Sequence, residues 1–309
     1  MRNSFRAVRV RKRCGHTAAR VGLAAAGLAF SGLSFSGLAR AGLDVDQNLA
    51  RWRATYEEKL KAPGSWLSVS GLFWLHEGEN VVGSDPQSDV VLRAGTPKRA
   101  GVLRMQAGAV SFERTERSGG TAGAALRVLK TDVPGPPDVV NIDSVALTVI
   151  KRGERTGVRM KDPEAATRRD FTGCKWFPPA PRWHIQAKWV AYKEPRTLGI
   201  LNVLGMTSQE PAPGYAEFTL QGKRLRLEPI TEDGYLFFLF KDQTSGQTTY
   251  GAGRFLYAAM PKDGVVDIDF NKAENPPCAF TDFATCPLPP KQNALPIAIP
   301  AGEKKYGHH

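Results

Sequence analysis

The chain has 309 residues, 42% of them hydrophobic, with 42 basic and 30 acidic side chains and a formal net charge of +12. The first 41 residues carry eight of the basic side chains and no acid, so their removal lowers the net charge to +4. A charge of that size is ordinary for a soluble protein, and we therefore expect no nucleic-acid partner.

Residues 1–41 have the three parts of a signal peptide. A basic stretch precedes a weakly apolar run of Ala, Gly, Leu, Phe and Ser, and Ala39-Arg40-Ala41 has the small-x-small pattern that signal peptidase cleaves. We expect cleavage after Ala41, no stable membrane span afterwards, and a periplasmic or secreted location. The alternative is a retained membrane anchor, which the many Gly and Ser residues of the run would make weak.

A helix and a set of short strands are predicted over residues 42–160. Asp46 can cap the helix and Pro63-Gly64 ends it. From Ser65 onward, short apolar runs alternate with turns, which predicts a small β-sandwich. The residues predicted to share one helix face recur at three- and four-residue intervals: Leu49, Trp52, Tyr56 and Leu60.

A larger β-domain is predicted over residues 161–309. The boundary falls between Lys161 and Phe171, where Pro163 and a polar run interrupt the strand pattern. We expect a β-sandwich or barrel-like domain with an irregular loop rich in Cys and Pro. Strands and helices do not alternate, which disfavours a doubly wound α/β fold, so the predicted fold class is mainly β.

Three cysteines follow the leader: Cys174, Cys278 and Cys286. In an oxidising compartment two of them should pair, and we predict a disulfide between Cys278 and Cys286, each of which is beside proline. The alternatives are a zinc site completed by His184, or a nucleophilic Cys174 assisted by the same histidine. Because the two late cysteines are spaced too widely for a usual zinc knuckle, we expect no metal and no cofactor.

Polar side chains near the end of the strand pattern form the candidate site. Asp267 and Asp269 alternate with apolar residues, so their carboxylates share one face of a strand. Arg254 precedes this strand, and Asn271 and Asn275 follow it. A buried Arg among such groups must be paired, either in a structural salt-bridge network or at the floor of a ligand pocket.

A second polar pair, Arg169-Asp170, is a candidate contact to an anionic ligand or a solvated turn. Trp176, Phe177 and Trp183 lie among prolines shortly after it, and we interpret them as packing residues rather than as a pocket wall.

Several stretches resemble an uncharacterised family, the domain-of-unknown-function family 1684. The resemblance covers nearly the whole chain after the leader, supports one shared fold, and implies no established activity. Tyr250, at the start of one of the matching stretches, is a further candidate ligand residue. The matching stretches are residues 71–75, 77–80, 83–86, 88–92, 169–171, 176–178, 250–257, 269–271, 275–278 and 286–290.

Residues 79–92 also resemble, more weakly, the start of a forkhead-associated β-sandwich. That resemblance implies a sandwich fold for the first domain and a phosphothreonine ligand. The family usually has Arg directly after the glycine to hold phosphate, and here Ser84 follows Gly83.

The leading functional hypothesis is binding of a small molecule or an envelope component in a polar pocket rimmed by residues 275–290. The first alternative is a hydrolase that uses Asp269 or Asp267 as general base, with Arg254 holding an anionic substrate. The second is an envelope scaffold that interacts through an exposed apolar patch around Trp66, Phe73 and Trp74. The candidate ligand residues are Arg254, Asp269, Asn271, Asn275, Tyr250, Arg169 and Asp170.

Overall fold

The computed structural model describes residues 36–115 and 127–307, with side chains described from residue 47 onward. The predicted signal peptide lies outside the described residues, except for the backbone of residues 36–41. Residues Leu43–His309 form one compact unit, which holds both predicted β-regions.

The predicted helix is present and is longer than expected. Helix α1 (Ser36–Lys61) begins before Asp46, so the predicted cap at Asp46 is wrong. Its apolar face buries Leu49 and Leu60. The helix ends where Gly64 adopts φ +82°, a conformation that glycine reaches without steric cost.

Residues 69–161 form two four-stranded sheets, here called the first sandwich. One sheet has the strand order β1-β8-β7-β6 and the other has the order β3-β2-β4-β5. Apolar side chains from both sheets, including Val82, Leu103, Leu147 and Val158, meet in one buried core. The strands are β1 (Val69–Trp74), β2 (Gly78–Gly83), β3 (Val90–Val91), β4 (Gly101–Gln106), β5 (Ala109–Arg114), β6 (Val139–Ile142), β7 (Val145–Arg152) and β8 (Arg155–Lys161).

Residues 184–269 form a second pair of sheets, here called the second sandwich. A short helix, α2 (Ala166–Arg169), precedes it. One sheet has the order β11-β10-β9-β15 and the other has the order β12-β13-β14. The strands are β9 (His184–Leu201), β10 (Thr207–Leu220), β11 (Lys223–Leu227), β12 (Ile230–Glu232), β13 (Tyr235–Phe240), β14 (Arg254–Ala258) and β15 (Val265–Asp269).

The apolar run of β13 is covered on both faces, as its sequence requires. Phe238 and Phe240 point into the core of the second sandwich, and Phe237 and Leu239 point into a smaller cluster on the other side. Cys286 belongs to that smaller cluster, so the irregular loop supplies part of the cover for β13.

The loop that carries Cys278 and Cys286 is irregular, as predicted, and contacts both sandwiches. A 3-10 turn, Pro277–Ala279, opens it. Its Thr281 hydroxyl donates to the Val69 carbonyl at 3.0 Å, and Leu288 N–H donates to the Leu201 carbonyl at 2.7 Å. The loop therefore joins the start of the first sandwich to the end of β9.

A segment after the loop, residues 299–304, runs back beside the 3-10 turn Phe270–Lys272 and the extended residues near Phe177. Glu303 N–H donates to the Ala273 carbonyl at 2.8 Å, and Phe177 N–H donates to the Gly302 carbonyl at 2.9 Å. Gly302 adopts φ +72°, and a Cβ there would lie 2.8 Å from the Phe270 carbonyl oxygen and closer still to that of Ala273. Only glycine permits this approach.

The mainly β prediction is confirmed, with several antiparallel sheets and an irregular Cys- and Pro-rich loop. The domain boundary predicted near residue 161 stays a prediction. No helix in the described part of the chain is both long and apolar enough to cross a membrane.

Candidate functional site

Arg254, the first residue of β14, lies inside the second sandwich with 1% of its surface exposed. Its Nη2 donates to Asp242 Oδ2 at 2.7 Å and to the Ile299 carbonyl at 3.0 Å, and its Nη1 donates to the Ala301 carbonyl. Burial lowers the pKa of Arg254, while the Asp242 carboxylate acts to raise it. The guanidinium thus forms an internal ion pair that ties β14 to residues 299–301, and a ligand role for it stays a prediction.

Asp269 and Asn271 form a local turn rather than an ion pair with Arg254. Asp269 Oδ1 accepts from the Asn271 backbone N–H at 3.1 Å and from Asn271 Nδ2 at 2.9 Å, which caps the 3-10 turn. Asn271 Oδ1 in turn accepts from the Ala180 N–H at 3.0 Å. Asp267 is exposed and pairs with His184 Nε2 at 2.6 Å. The two carboxylates therefore have different partners.

The remaining candidate ligand residues, Arg169, Asp170 and Tyr250, make no hydrogen bond with Arg254 among the described residues. Arg169 and Asp170 form an exposed ion pair with one another at 3.0 Å. The Tyr250 hydroxyl donates to the Cys278 carbonyl at 3.0 Å, so it anchors the loop. Among the three residues expected to form a scaffold patch, Trp66, Phe73 and Trp74 are each partly buried, and they do not form an exposed apolar surface.

Cys278 and Cys286 are neighbours but are free thiols in this structure. The Cys278 N–H donates to Cys286 Sγ at 3.1 Å. A hydrogen bond between the two thiols lowers the pKa of Cys278 and raises that of Cys286. The predicted disulfide is not formed, although the loop brings the two side chains together. Within the described residues, no group of three or more His, Cys, Asp or Glu side chains is arranged to hold a metal.

Asn275 contacts a buried carboxyl group, that of Glu303, which the sequence pattern did not predict. Its backbone N–H donates to Glu303 Oε2 at 2.8 Å, and the Tyr56 hydroxyl donates to the same oxygen at 3.2 Å. The nearby Cys174 thiol acts to lower the pKa of Glu303. Glu303 has no exposed surface, and its Oε1 has no hydrogen-bond partner among the described residues. Burial raises the pKa of Glu303 to about 7.

Glu274 is a second acid beside Glu303. Its backbone is fixed by two hydrogen bonds of 2.9 Å with Phe255 in β14. Burial and the Glu303 charge raise the pKa of Glu274 to about 8, and Lys59 acts in the opposite direction. Because like charges in a poorly solvated site repel, the pair holds a proton near neutral pH. We call Glu274 and Glu303 the acid pair.

The acid pair adjoins an open cleft between α1 and the chain around Glu274, with a volume of about 370 Å³. Trp52 stacks on Tyr56 with ring centroids 5.7 Å apart, and the Trp176 edge packs 5.8 Å from Trp52, so these rings are held in place. We call this cavity the helix cleft. Its lining residues are Trp52, Thr55, Tyr56, Lys59, Leu60, Ser65, Trp66 and Glu274.

The raised pKa values of the acid pair predict a pH-dependent stability. Both values lie above the 4.5 of an unperturbed glutamate, so between about pH 5 and pH 8 the folded protein holds protons that the unfolded chain has released. The free energy of unfolding should therefore fall as the pH rises through this window. Replacing Glu303 by Gln should reduce that fall by on the order of 3 kcal/mol, measured by urea denaturation from pH 5 to pH 9.

Glu58→Gln is the matched control for this measurement. Glu58 is exposed on α1, so the same change of charge there should leave the slope of stability against pH unaltered. A Glu303→Gln protein with the same slope as the wild type would show that Glu303 is ionised normally in the folded state.

Of the residues around the acid pair, Asn275 is among the candidates predicted from the sequence, and neither carboxyl group is. Glu274 stands directly before Asn275 and between the predicted candidates Asn271 and Asn275, so its position in the sequence was the available signal. Glu303 had no local signal, because it reaches the site only through the returning segment 299–304.

Comparison with known proteins identifies the family. The family model described as "Protein of unknown function (DUF1684)" matches residues 169–304. An uncharacterized protein of Haloarcula marismortui, known from a solution NMR structure, is 32% identical, with 46% of this chain and 81% of that chain covered and a TM-score of 0.39. Residues 169–304 of the chain belong to the DUF1684 family. No curated protein matches it. The weaker likeness to forkhead-associated domains stays a prediction.

Proposed function

We propose that this protein is an exported binding protein that holds a small molecule in the helix cleft. The observation that carries the proposal is the Glu274 side chain, which lines the cleft and makes no hydrogen bond with any described residue. A poorly solvated carboxyl group without a partner is unfavourable, so a ligand that pairs with it gains binding free energy.

Two residues that the sequence predicted for a pocket, Asn275 and Arg254, contact the chain around Glu303. The Asn275 backbone N–H donates to Glu303, and Arg254 donates to the carbonyls of residues 299 and 301, which precede Glu303 in the chain. These residues thus position the acid pair, whereas the aromatic side chains of α1 form the wall that a ligand would contact.

A larger groove, of about 650 Å³, lies between β9 and residues 288–294. Its lining is aliphatic and prolyl apart from Lys241, Lys291 and Gln292, and it has no acidic group. A site that fixes a ligand usually combines an apolar wall with a few convergent polar groups. In the groove two of the three polar side chains, Lys291 and Gln292, are exposed, whereas the helix cleft has a partly buried carboxyl group beside ordered aromatic rings. We therefore place the ligand in the helix cleft.

Three probes that share one benzyl group test the proposal: benzyltrimethylammonium, benzyl alcohol and phenylacetate. At least one should bind the full-length protein with a Kd below about 1 mM, by isothermal titration calorimetry. Thr55→Trp should weaken that binding at least 10-fold, because Thr55 is exposed at the cleft and a large ring there fills it.

Ala54→Trp is the control, since Ala54 is exposed on α1 but does not line the cleft. It should bind the probes as the wild type does, with an unchanged thermal unfolding midpoint for both variants. Binding that is unaffected by Thr55→Trp, or no binding of any of the three probes, would rule out the helix cleft as the ligand site.

The proposal also includes export of the protein and a disulfide between Cys278 and Cys286. The basic leader and the Ala39-Arg40-Ala41 pattern support cleavage and a periplasmic or secreted location. In that compartment the adjacent thiols of Cys278 and Cys286 would pair with only a local shift of the loop. The intact mass of the exported protein, before and after reduction, measures both features.

A further inference from the structure

The helix cleft has the chemistry of a site for a positively charged ligand. We propose that it binds an organic cation, an alkylated ammonium group attached to an apolar body, with the charge beside Glu274. This inference rests on the proposed function and specifies the class of ligand.

The first argument is the arrangement of charge. Glu274 lines the cleft, and Glu303 accepts hydrogen bonds from Tyr56, which also lines the cleft, and from Asn275, the residue after Glu274. An anionic ligand would therefore add a third negative charge to the same region. A cation would instead neutralise the pair. The cleft also lies along the last turns of α1, and the carbonyl end of a helix favours positive charge.

The second argument is the wall of the cleft. Trp52 and Tyr56 are each partly exposed there, whereas the Arg159 guanidinium already lies 4.8 Å from the ring centroid of Trp66, the third aromatic residue of the lining. The faces of Trp and Tyr rings attract alkylated ammonium groups through the ring quadrupole, and a carboxylate among such rings adds to that attraction. An ammonium group with methyl substituents satisfies the charge and the apolar wall together.

Lys59 is the basic residue of the lining and opposes this assignment. Its side chain is exposed, and among the described residues no ion pair joins it to Glu274, although its charge acts to lower the pKa of that group. A solvated lysine at the rim can move into water at little cost. The ammonium group of Lys59 therefore neutralises the negative charge of the acid pair less than a cation bound in the cleft would.

Binding of a cation should displace the proton that the acid pair holds. The complex forms as one ligand cation enters and up to one proton leaves to solvent, so the departing proton offsets part or all of the added positive charge. The raised pKa values of both carboxyl groups support this exchange. The other titratable or charged groups near the acid pair are Tyr56, Lys59, Cys174, Arg254, Tyr257 and Tyr306.

Calorimetry with the same three benzyl probes tests the ligand class. At pH 7, benzyltrimethylammonium should bind the wild type at least 10-fold more tightly than benzyl alcohol or phenylacetate. Titrations in phosphate and in Tris should show release of a fraction of a proton per ligand bound, because the two buffers differ in ionisation enthalpy. Affinity for the cation should rise between pH 6 and pH 9 as the acid pair loses its proton.

Glu274→Gln should weaken binding of the cation at least 10-fold and reduce the proton release, whereas the control Glu58→Gln should alter neither. Tighter binding of benzyl alcohol or phenylacetate would leave the helix cleft as a binding site and overturn the cation assignment. Equal binding of the cation by Glu274→Gln would also overturn it. Failure of every probe to bind the wild type would overturn the proposed function itself.

Discussion

Replacement of Arg254 by Met is expected to lower the free energy of unfolding by about 3–5 kcal/mol, as when one partner of a buried ion pair is removed. Asp242 would remain in the core with a charge that no longer has a cation beside it, since both side chains are fully buried. The carbonyls of Ile299 and Ala301 would also lose their donor. Guanidinium denaturation at pH 7 measures the loss.

A double-mutant cycle separates the ion pair from the packing of the long side chain. Asp242→Asn combined with Arg254→Met should be less destabilised than the sum of the two single variants, by at least about 1 kcal/mol. Arg224→Met is the control, because Arg224 is exposed on β11 and its loss should matter by less than about 0.5 kcal/mol. A loss below 1 kcal/mol for Arg254→Met would contradict the internal ion pair.

Gly302→Ala is expected to destabilise the protein by roughly 3 kcal/mol, the combined effect of a left-handed backbone and a forced shift of packed groups. The new Cβ would meet the carbonyl oxygens of Phe270 and Ala273, which are backbone atoms and cannot rotate away. Glu303 is the next residue, so the acid pair should be displaced as well. Urea denaturation gives the stability change.

Gly246→Ala is the control that separates the cost of a left-handed backbone from the cost of the steric clash made by the new Cβ. Gly246 also has a positive φ, +83°, but a Cβ there would have no atom within 4 Å. Its replacement should therefore be destabilising by only about 1 kcal/mol. Equal losses for the two variants would show that the 299–304 segment adjusts to the methyl group.

The strands, the helix and the irregular loop could be predicted because each rests on local sequence pattern. Strands are marked by the alternation of apolar residues and by the turn residues that separate one strand from the next. The helix face is marked by the spacing of Leu49 and Leu60. The start of α1 could not be placed, because helix ends are set by the chain around them as much as by a capping residue such as Asp46.

The partners of the polar residues could not be predicted by the same means. The need for a partner at Arg254 followed from its apolar surroundings, yet the partner is Asp242 beyond the end of β13, not Asp269 on the strand that the pattern had singled out. Alternation shows which side chains share a face, whereas the sheet pairing decides which of them meet. No sequence pattern marks Glu303, because it reaches Glu274 only through the returning segment 299–304, which is distant from Glu274 in the sequence.

The returning segment 299–304 has a consequence for synthesis of the chain. Until residue 301 has emerged, Arg254 lacks two of its three acceptors and the second sandwich lacks Ile299 and Ala301 from its core. A nascent chain that ends before this point cannot complete that core, so we expect the second sandwich to close only late in synthesis. Such a delay is compatible with the export proposed above, in which the chain would cross a membrane before it folds.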